Sequence, residues 1–337
     1  MADDSQVWPD KQQFHALALT GGGYRGLFTA QALASIEEAT GQPIGRSFDL
    51  ICGTSIGGIV AVAAAFEIPM AKVVEVFESR GPLIFPADRR APDDGFFKKI
   101  DLARHLGKPR YESSPLRAAV EALIPSGTLL GDAIHPVAIP AVNLTQGSPQ
   151  VFKTRHKAEW QRDSKLKVVD VALATSAAPT FFELAEIGGD RYADGGLFAN
   201  APDQIALHEA EHYFGVPSSS VHILSIGTTT RSYSVAHSAG RDFGIATWMD
   251  DARLLSVMIS AQQQFVGQVI AHRLGERYLR IDREPSHEQA AELGLDIATE
   301  SARSTLISLA KKAVTDIVNT TLPPFLAHTP YLRIIKN

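Results

Sequence analysis

The chain has 337 residues, 45% hydrophobic and 20% charged, with a formal net charge of -5 and a single cysteine, Cys52. This supports a full core in one large domain, residues 1–337. The acidic balance excludes a general nucleic-acid binder, and one cysteine excludes an internal disulfide or a thiolate metal cluster.

The start, MADDSQVWPDKQQ, lacks the basic flank and apolar stretch of a signal peptide. No uncharged apolar run reaches the roughly 18 residues needed to span a bilayer. The sequence therefore predicts a cytoplasmic protein whose membrane contact, if any, is peripheral and on the inner face.

The first predicted strand, His15 to Leu19, runs into Thr20-Gly21-Gly22-Gly23-Tyr24-Arg25-Gly26 and a helix from Leu27 to Ala39. Successive glycine amides can form an anion-binding nest, and Arg25 adds a positive charge, so Gly21, Gly22, Gly23 and Arg25 are candidate oxyanion-hole groups. The same residues fit Gly-x-Gly-x-x-Gly. A dinucleotide site would need an acidic residue at the end of the next strand, and Asp49 stands at its start.

That second strand, Asp49 to Cys52, ends in Gly53-Thr54-Ser55-Ile56-Gly57 before a helix from Ile56 to Phe66. A hydroxyl on a sharp strand-to-helix turn, with glycine two residues away on each side, is a nucleophile elbow. Ser55 is the candidate nucleophile, and Gly53 and Gly57 are the elbow glycines. Cys52 reads as a packed thiol in the strand rather than a second nucleophile.

A helix from Met70 to Arg80 leads into residues 81–117, the least regular stretch, with five prolines, eight Arg or Lys, and Phe85, Phe96, Phe97 and Tyr111. It reads as a surface excursion with solvated charges or as a lipid-facing lid. A helix from Leu116 to Leu123 and strands from Val137 to Val142 and from Val168 to Leu173 follow. Arg191-Tyr192-Ala193-Asp194-Gly195-Gly196 then offers a carboxylate in a glycine turn. Asp194 can accept the Ser55 proton and return it to a leaving alcohol, with Gly195 and Gly196 as turn glycines. The competing reading is an aspartate that only nucleates a turn.

Leu207-His208-Glu209-Ala210-Glu211-His212 lies in a predicted helix from Ile205 to Phe214 and fits His-Glu-x-x-His, a zinc-peptidase pattern. Spacing identifies no third ligand, so no metal site is assigned. After a strand from Val221 to Ile226, two long helical patterns follow, Trp248 to Leu274 and Glu288 to Val318, with Ser286 and Gln289 as a capping box. His222 and His272 could complete a triad with Ser55 and Asp194. Strands alternating with helices predict an α/β fold, a three-layer α/β/α sandwich around a mostly parallel sheet. Its motif core covers about 15–230 and its C-terminal helical part about 240–320.

The glycine loop, the elbow and the aspartate turn, in this order, resemble the patatin-like phospholipase family. Ser176-Ala177-Ala178-Pro179, Asn200-Ala201-Pro202, Tyr111 with Pro115-Leu116, and Ile223 to Gly227 agree with it. The resemblance implies a serine acyl hydrolase of the phospholipase A type. It would use a Ser55–Asp194 dyad, with Gly22, Gly23 and Arg25 on the oxyanion side, no cofactor, and membrane phospholipids as substrate.

The opening GGGYRGLFTA and FDLICGTSIGGI are further similar to the patatin-like effectors of bacterial CBASS anti-phage systems. That implies activation by a cyclic di- or trinucleotide, at a pocket no motif identifies, and is compatible with a homo-oligomer. The alternatives are a constitutive lipid acyl hydrolase, a zinc metallopeptidase and a catalytically silent ligand sensor.

Overall fold

The computed structural model describes residues 12–89, 107–157, 159–230, 232–235, 237, 240–249 and 253–331. Among the described residues eight strands form one sheet: β1 Phe14–Leu19, β2 Leu50–Gly53, β3 Val137–Asn143, β4 Ser148–Lys153, β5 Ala185–Ile187, β6 Asp190–Asp194, β7 Val221–Ile226 and β8 Tyr278–Ile281. The run β3-β2-β1-β7-β8 is parallel. Antiparallel β4 lies along β3, while β6, antiparallel to the far end of β3, carries β5 at the sheet edge.

The helices are α1 Gly26–Thr40, α2 Ile56–Ala65, α3 Met70–Ile84, α4 Ser113–Leu123, α5 Val168–Ser176, α6 Gly196–Ala199, α7 Asp203–His208, α8 Ile245–Met249, α9 Arg253–Leu274, α10 His287–Glu292, α11 Glu300–Thr315 and α12 Pro323–Leu326. Strand alternation sorts the core into two layers. Leu17, Leu19 and Ile51 pack with α1–α5 and α11. Ala16, Ala18, Leu50 and Cys52 pack with α7 and α9 on the other face.

No strand was expected at β4, β5 or β6, and three further expectations differ from this fold. Residues 168–173, expected as a strand, form α5: their Val-rich run packs on α2, β3 and β6 as a fully buried helix. β8 lies between the two C-terminal helical patterns, where no strand was expected, and extends the parallel sheet beyond β7. The 288–318 pattern breaks into α10 and α11, the second started by the Thr299 hydroxyl, which accepts the Ala302 N–H.

The Ser286–Gln289 capping box is formed reciprocally. Because α11 packs along α1, the C-terminal helices close the same layered body. Within 81–117, Phe96 and Phe97 lie outside the described residues. Phe85 and Tyr111 are buried against Phe181 and Phe182 rather than spread on the surface.

Candidate active site

The site lies at the carboxyl ends of the parallel strands. Ser55 follows β2 with φ of 56° and ψ of -128°, a left-handed backbone that a residue with a Cβ adopts only under constraint. The constraint is close packing of the elbow. A Cβ on Gly53 would strike the Gly57 carbonyl, and one on Gly57 would strike the Leu19 carbonyl. The Ser55 N–H donates to Thr175 Oγ1 at 2.9 Å, and Thr175 in turn donates to the Pro140 carbonyl at 2.6 Å. Thr175 on α5 is a positioning residue that no motif had pointed out.

Ser55 Oγ donates to Asp194 Oδ2 at 2.7 Å. The other carboxylate oxygen, Oδ1, accepts the Gly196 N–H at 2.6 Å. β6 delivers Asp194 to this point because it runs antiparallel to β3, with Asp194 opposite Ala141. Burial pushes the carboxyl up to about 6, against the hydrogen bonds from Ser55 and Gly196, which favour its ionised form. At neutral pH the group remains mostly ionised and is a far better base than an ordinary aspartate.

The glycine loop enters the site divided in its roles. Gly21 donates its N–H to the Asn200 carbonyl at 3.0 Å, and its own carbonyl accepts from Asn200 Nδ2 and Thr228 Oγ1. Gly21 therefore anchors the loop, and its amide is no oxyanion donor, contrary to expectation. Gly22 and Gly23 line the cleft beside Ser55. Their N–H groups, with that of Ile56 at the start of α2, have no acceptor among the described residues.

Arg25 also departs from expectation. Gly23–Arg25 form a 3-10 turn that carries the guanidinium away from Ser55 into a separate cavity. Asn200 is held by a bond from its own N–H to Gln262 on α9, so α9 braces the glycine loop indirectly.

The cleft is walled by apolar side chains, among them Ile59, Phe77, Phe182, Leu197, Leu255 and Ile259. Leu83, Leu184, Phe198, Leu254 and Met258, each within two residues of a lining side chain, are exposed, Leu83 at 56% and Met258 at 44%.

The remaining candidates fall elsewhere. His222, the second residue of β7, stacks on His15, about 13 Å of strand before the carboxyl end. His272 lies on α9 roughly 20 Å of helix beyond Ile259. His208 and His212 stack on each other, but the helix loosens into a π-turn over Glu209–Tyr213. The Glu209 carboxylate is buried between Lys153 Nζ at 2.6 Å and His156 Nε2 at 3.3 Å. It is committed to an ion pair and is not placed to activate a water. Among the described residues no cluster of three or more His, Cys, Asp or Glu could hold a metal ion. Burial and nearby acidic groups hold the Cys52 thiol well above its ordinary range, as suits a packed thiol.

A strained serine hydrogen-bonded to an aspartate, with free glycine amides beside an apolar cleft, is equipped for acyl transfer from an ester. The chain belongs to the patatin-like phospholipase family, whose model matches residues 17–207, and it is a hydrolase of carboxylic ester bonds. It is 38% identical over 321 residues to the "cGAMP-activated phospholipase" of Pseudomonas aeruginosa, covering 94% of this chain and 92% of the relative. Proteins of the same name from Vibrio cholerae and Escherichia coli are 37% and 36% identical. They cover 91% and 93% of this chain and 92% and 91% of their own lengths.

Proposed function

We propose that this chain is a phospholipase A-type effector that cleaves membrane phospholipid esters through Ser55 and Asp194 and is switched on by a cyclic oligonucleotide. The observation that carries the chemistry is the 2.7 Å hydrogen bond from Ser55 Oγ to Asp194 Oδ2 beside the apolar cleft. Ser55 Oγ attacks the ester carbonyl as its proton passes to Asp194. The tetrahedral oxyanion takes hydrogen bonds from the Gly22, Gly23 and Ile56 amides, reinforced by the positive end of α2. Collapse breaks the ester C–O bond, and Asp194 returns the proton to the departing lysophospholipid alcohol. A water then attacks the acyl-serine with Asp194 as base, releasing the fatty acid and restoring Ser55.

Membrane docking is assigned to the exposed Leu83, Leu184, Phe198, Leu254 and Met258, which would enter the acyl region as the ester reaches Ser55. Among the described residues no helix is long and apolar enough to cross a membrane, so the contact is peripheral. Control by a cyclic nucleotide is supported by the naming of the three relatives, each aligned over more than nine-tenths of this chain.

The test is fatty-acid release from phospholipid liposomes by wild-type protein and Ser55→Ala, with and without a panel of cyclic di- and trinucleotides. Release that needs both Ser55 and one nucleotide is expected. Release without nucleotide would leave a constitutive lipase, and release that survives Ser55→Ala would overturn the dyad.

A further inference from the structure

Away from the cleft, a cavity of about 310 Å³ opens between the foot of the glycine loop and the segment leading to α10. Arg25, Thr229, Pro285, His287, Ala290 and Leu293 line it. Two of these present buried polar atoms that hydrogen-bond to nothing among the described residues: Arg25 Nε and Thr229 Oγ1. Arg25 is in no ion pair there either. The acid whose charge acts on it, Asp282, is engaged by Arg280 at 2.8 Å and by the Thr229 and Arg283 amides. Burial lowers the Arg25 guanidinium only to about 10, which leaves it charged at neutral pH.

Arg25 is half-buried, its Nε fully so, with no contacting anion among the described residues, and the lined cavity beside it is a place for one. A guanidinium with an adjacent hydroxyl matches phosphate oxygens, and the volume falls within the roughly 300–1,000 Å³ of small-ligand pockets.

We propose that this cavity binds a phosphodiester anion on Arg25 and Thr229, and that occupancy sets the position of the oxyanion loop. Two short connections supply the coupling. Arg25 ends the turn that begins at Gly23, and its N–H donates to the Gly22 carbonyl at 3.2 Å. The segment carrying Pro285, Ala290 and Leu293 continues to Leu295, whose carbonyl accepts the Tyr24 N–H at 2.8 Å and lies hard against Gly23. Leu295 itself lines the catalytic cleft. A ligand in the cavity therefore touches both the foot of the loop and the strap that latches it, so any preference for one arrangement of the two shifts the Gly22 and Gly23 amides.

The regulatory part rests on the cyclic-nucleotide reading given above. The anion itself has two sources, a cyclic nucleotide or a lipid headgroup.

The experiment is calorimetric titration of the full chain with cGAMP and, separately, with sn-glycero-3-phosphoglycerol, a headgroup without acyl chains. Liposome hydrolysis is measured in parallel. The variants are Arg25→Ala, Arg25→Lys, and Ala290→Phe, which fills the cavity without touching Ser55 or its partners. The expected result is cGAMP binding to wild type, weakened about tenfold or more in Arg25→Ala and Ala290→Phe, less in Arg25→Lys, with activation reduced in step. If wild type is activated and Ala290→Phe binds and responds equally, the cavity assignment is overturned while nucleotide activation stands. If only the headgroup fragment binds, and does so through Arg25, the anion site stands and its source is lipid. Binding of neither probe overturns the cavity assignment, while liposome hydrolysis with the cyclic-nucleotide panel decides nucleotide control separately. Should Arg25→Ala lose its cooperative melting transition, Ala290→Phe on the half-exposed α10 decides alone.

Discussion

Thr175 and Ser55 are joined backbone to side chain, the Ser55 N–H donating to Thr175 Oγ1 at 2.9 Å across 120 residues of sequence. The same hydroxyl donates to the Pro140 carbonyl, so one threonine ties the elbow to β3 and fixes the direction in which the serine points. Thr175→Val keeps the shape and leaves the Ser55 amide and the Pro140 carbonyl without partners, costing about 1–3 kcal/mol. The expected outcome is a kcat about tenfold lower with KM nearly unchanged, because the nucleophile is misaligned while the cleft is intact. Unchanged kcat alongside a lower melting temperature would make Thr175 merely structural.

The Asp194 carboxyl, raised to about 6 by burial, sets a pH limb. Catalysis needs the ionised base, so kcat/KM on a soluble ester should be level above about pH 7 and fall tenfold per unit below about pH 6. An ordinary aspartate would keep the rate level down to about pH 4. A pH–rate profile in buffers of constant ionic strength distinguishes the two.

Asn200 holds Gly21 from both sides and takes its own restraint from Gln262 on α9. Asn200→Ala removes the side-chain half of that clamp and should lower kcat by one to two orders of magnitude, about 1.4 kcal/mol for each tenfold. Gln262→Ala, one step further out, should cost less. An equal loss in both would point to α9 acting directly on substrate.

Glu209 is predicted to matter for stability alone. Removing it strands Lys153 and His156 in the core, so Glu209→Ala should cost about 3–5 kcal/mol in chemical denaturation. His212→Ala and His272→Ala should each retain most hydrolytic activity. Loss of activity in either, with the melting transition intact, would reopen the zinc or triad alternatives.

Replacing Leu254, Met258 and Phe198 together by serine should reduce liposome hydrolysis at least tenfold and soluble-ester hydrolysis little, since the three are exposed and carry apolar area only a bilayer would cover. Equal losses on both substrates would remove the docking role.

The parts of the site visible in the sequence are those where backbone geometry demands glycine. Gly53 and Gly57 bracket Ser55 because nothing larger fits, and Gly196 offers Asp194 an amide without a side chain in the way. Thr175 and Asn200 act through tertiary contacts that leave no local signature.

Arg25 diverges from the glycine nest beside it for a definite reason. Sequence adjacency to the glycine nest suggested a common target, but a 3-10 turn rotates successive side chains by about 120°, sending Tyr24 to the cleft and Arg25 elsewhere. The Val-rich α5 matched a buried strand by composition, and only its packing on α2, β3 and β6 shows it as a helix. Four-residue β8 is too short to announce itself.

His328 Nε2 and the Tyr331 N–H both bond the Asp49 carboxylate, each at 2.6 Å, where β2 begins, while Ser55 stands beyond its other end. The last described stretch of chain is thus tethered at the pole of the sheet opposite the catalytic mouth. A fluorescent reporter or affinity handle attached at position 331 sits on the far side from a bound vesicle. Immobilisation through that position would present the cleft outward, the geometry a surface-based lipid-binding measurement requires.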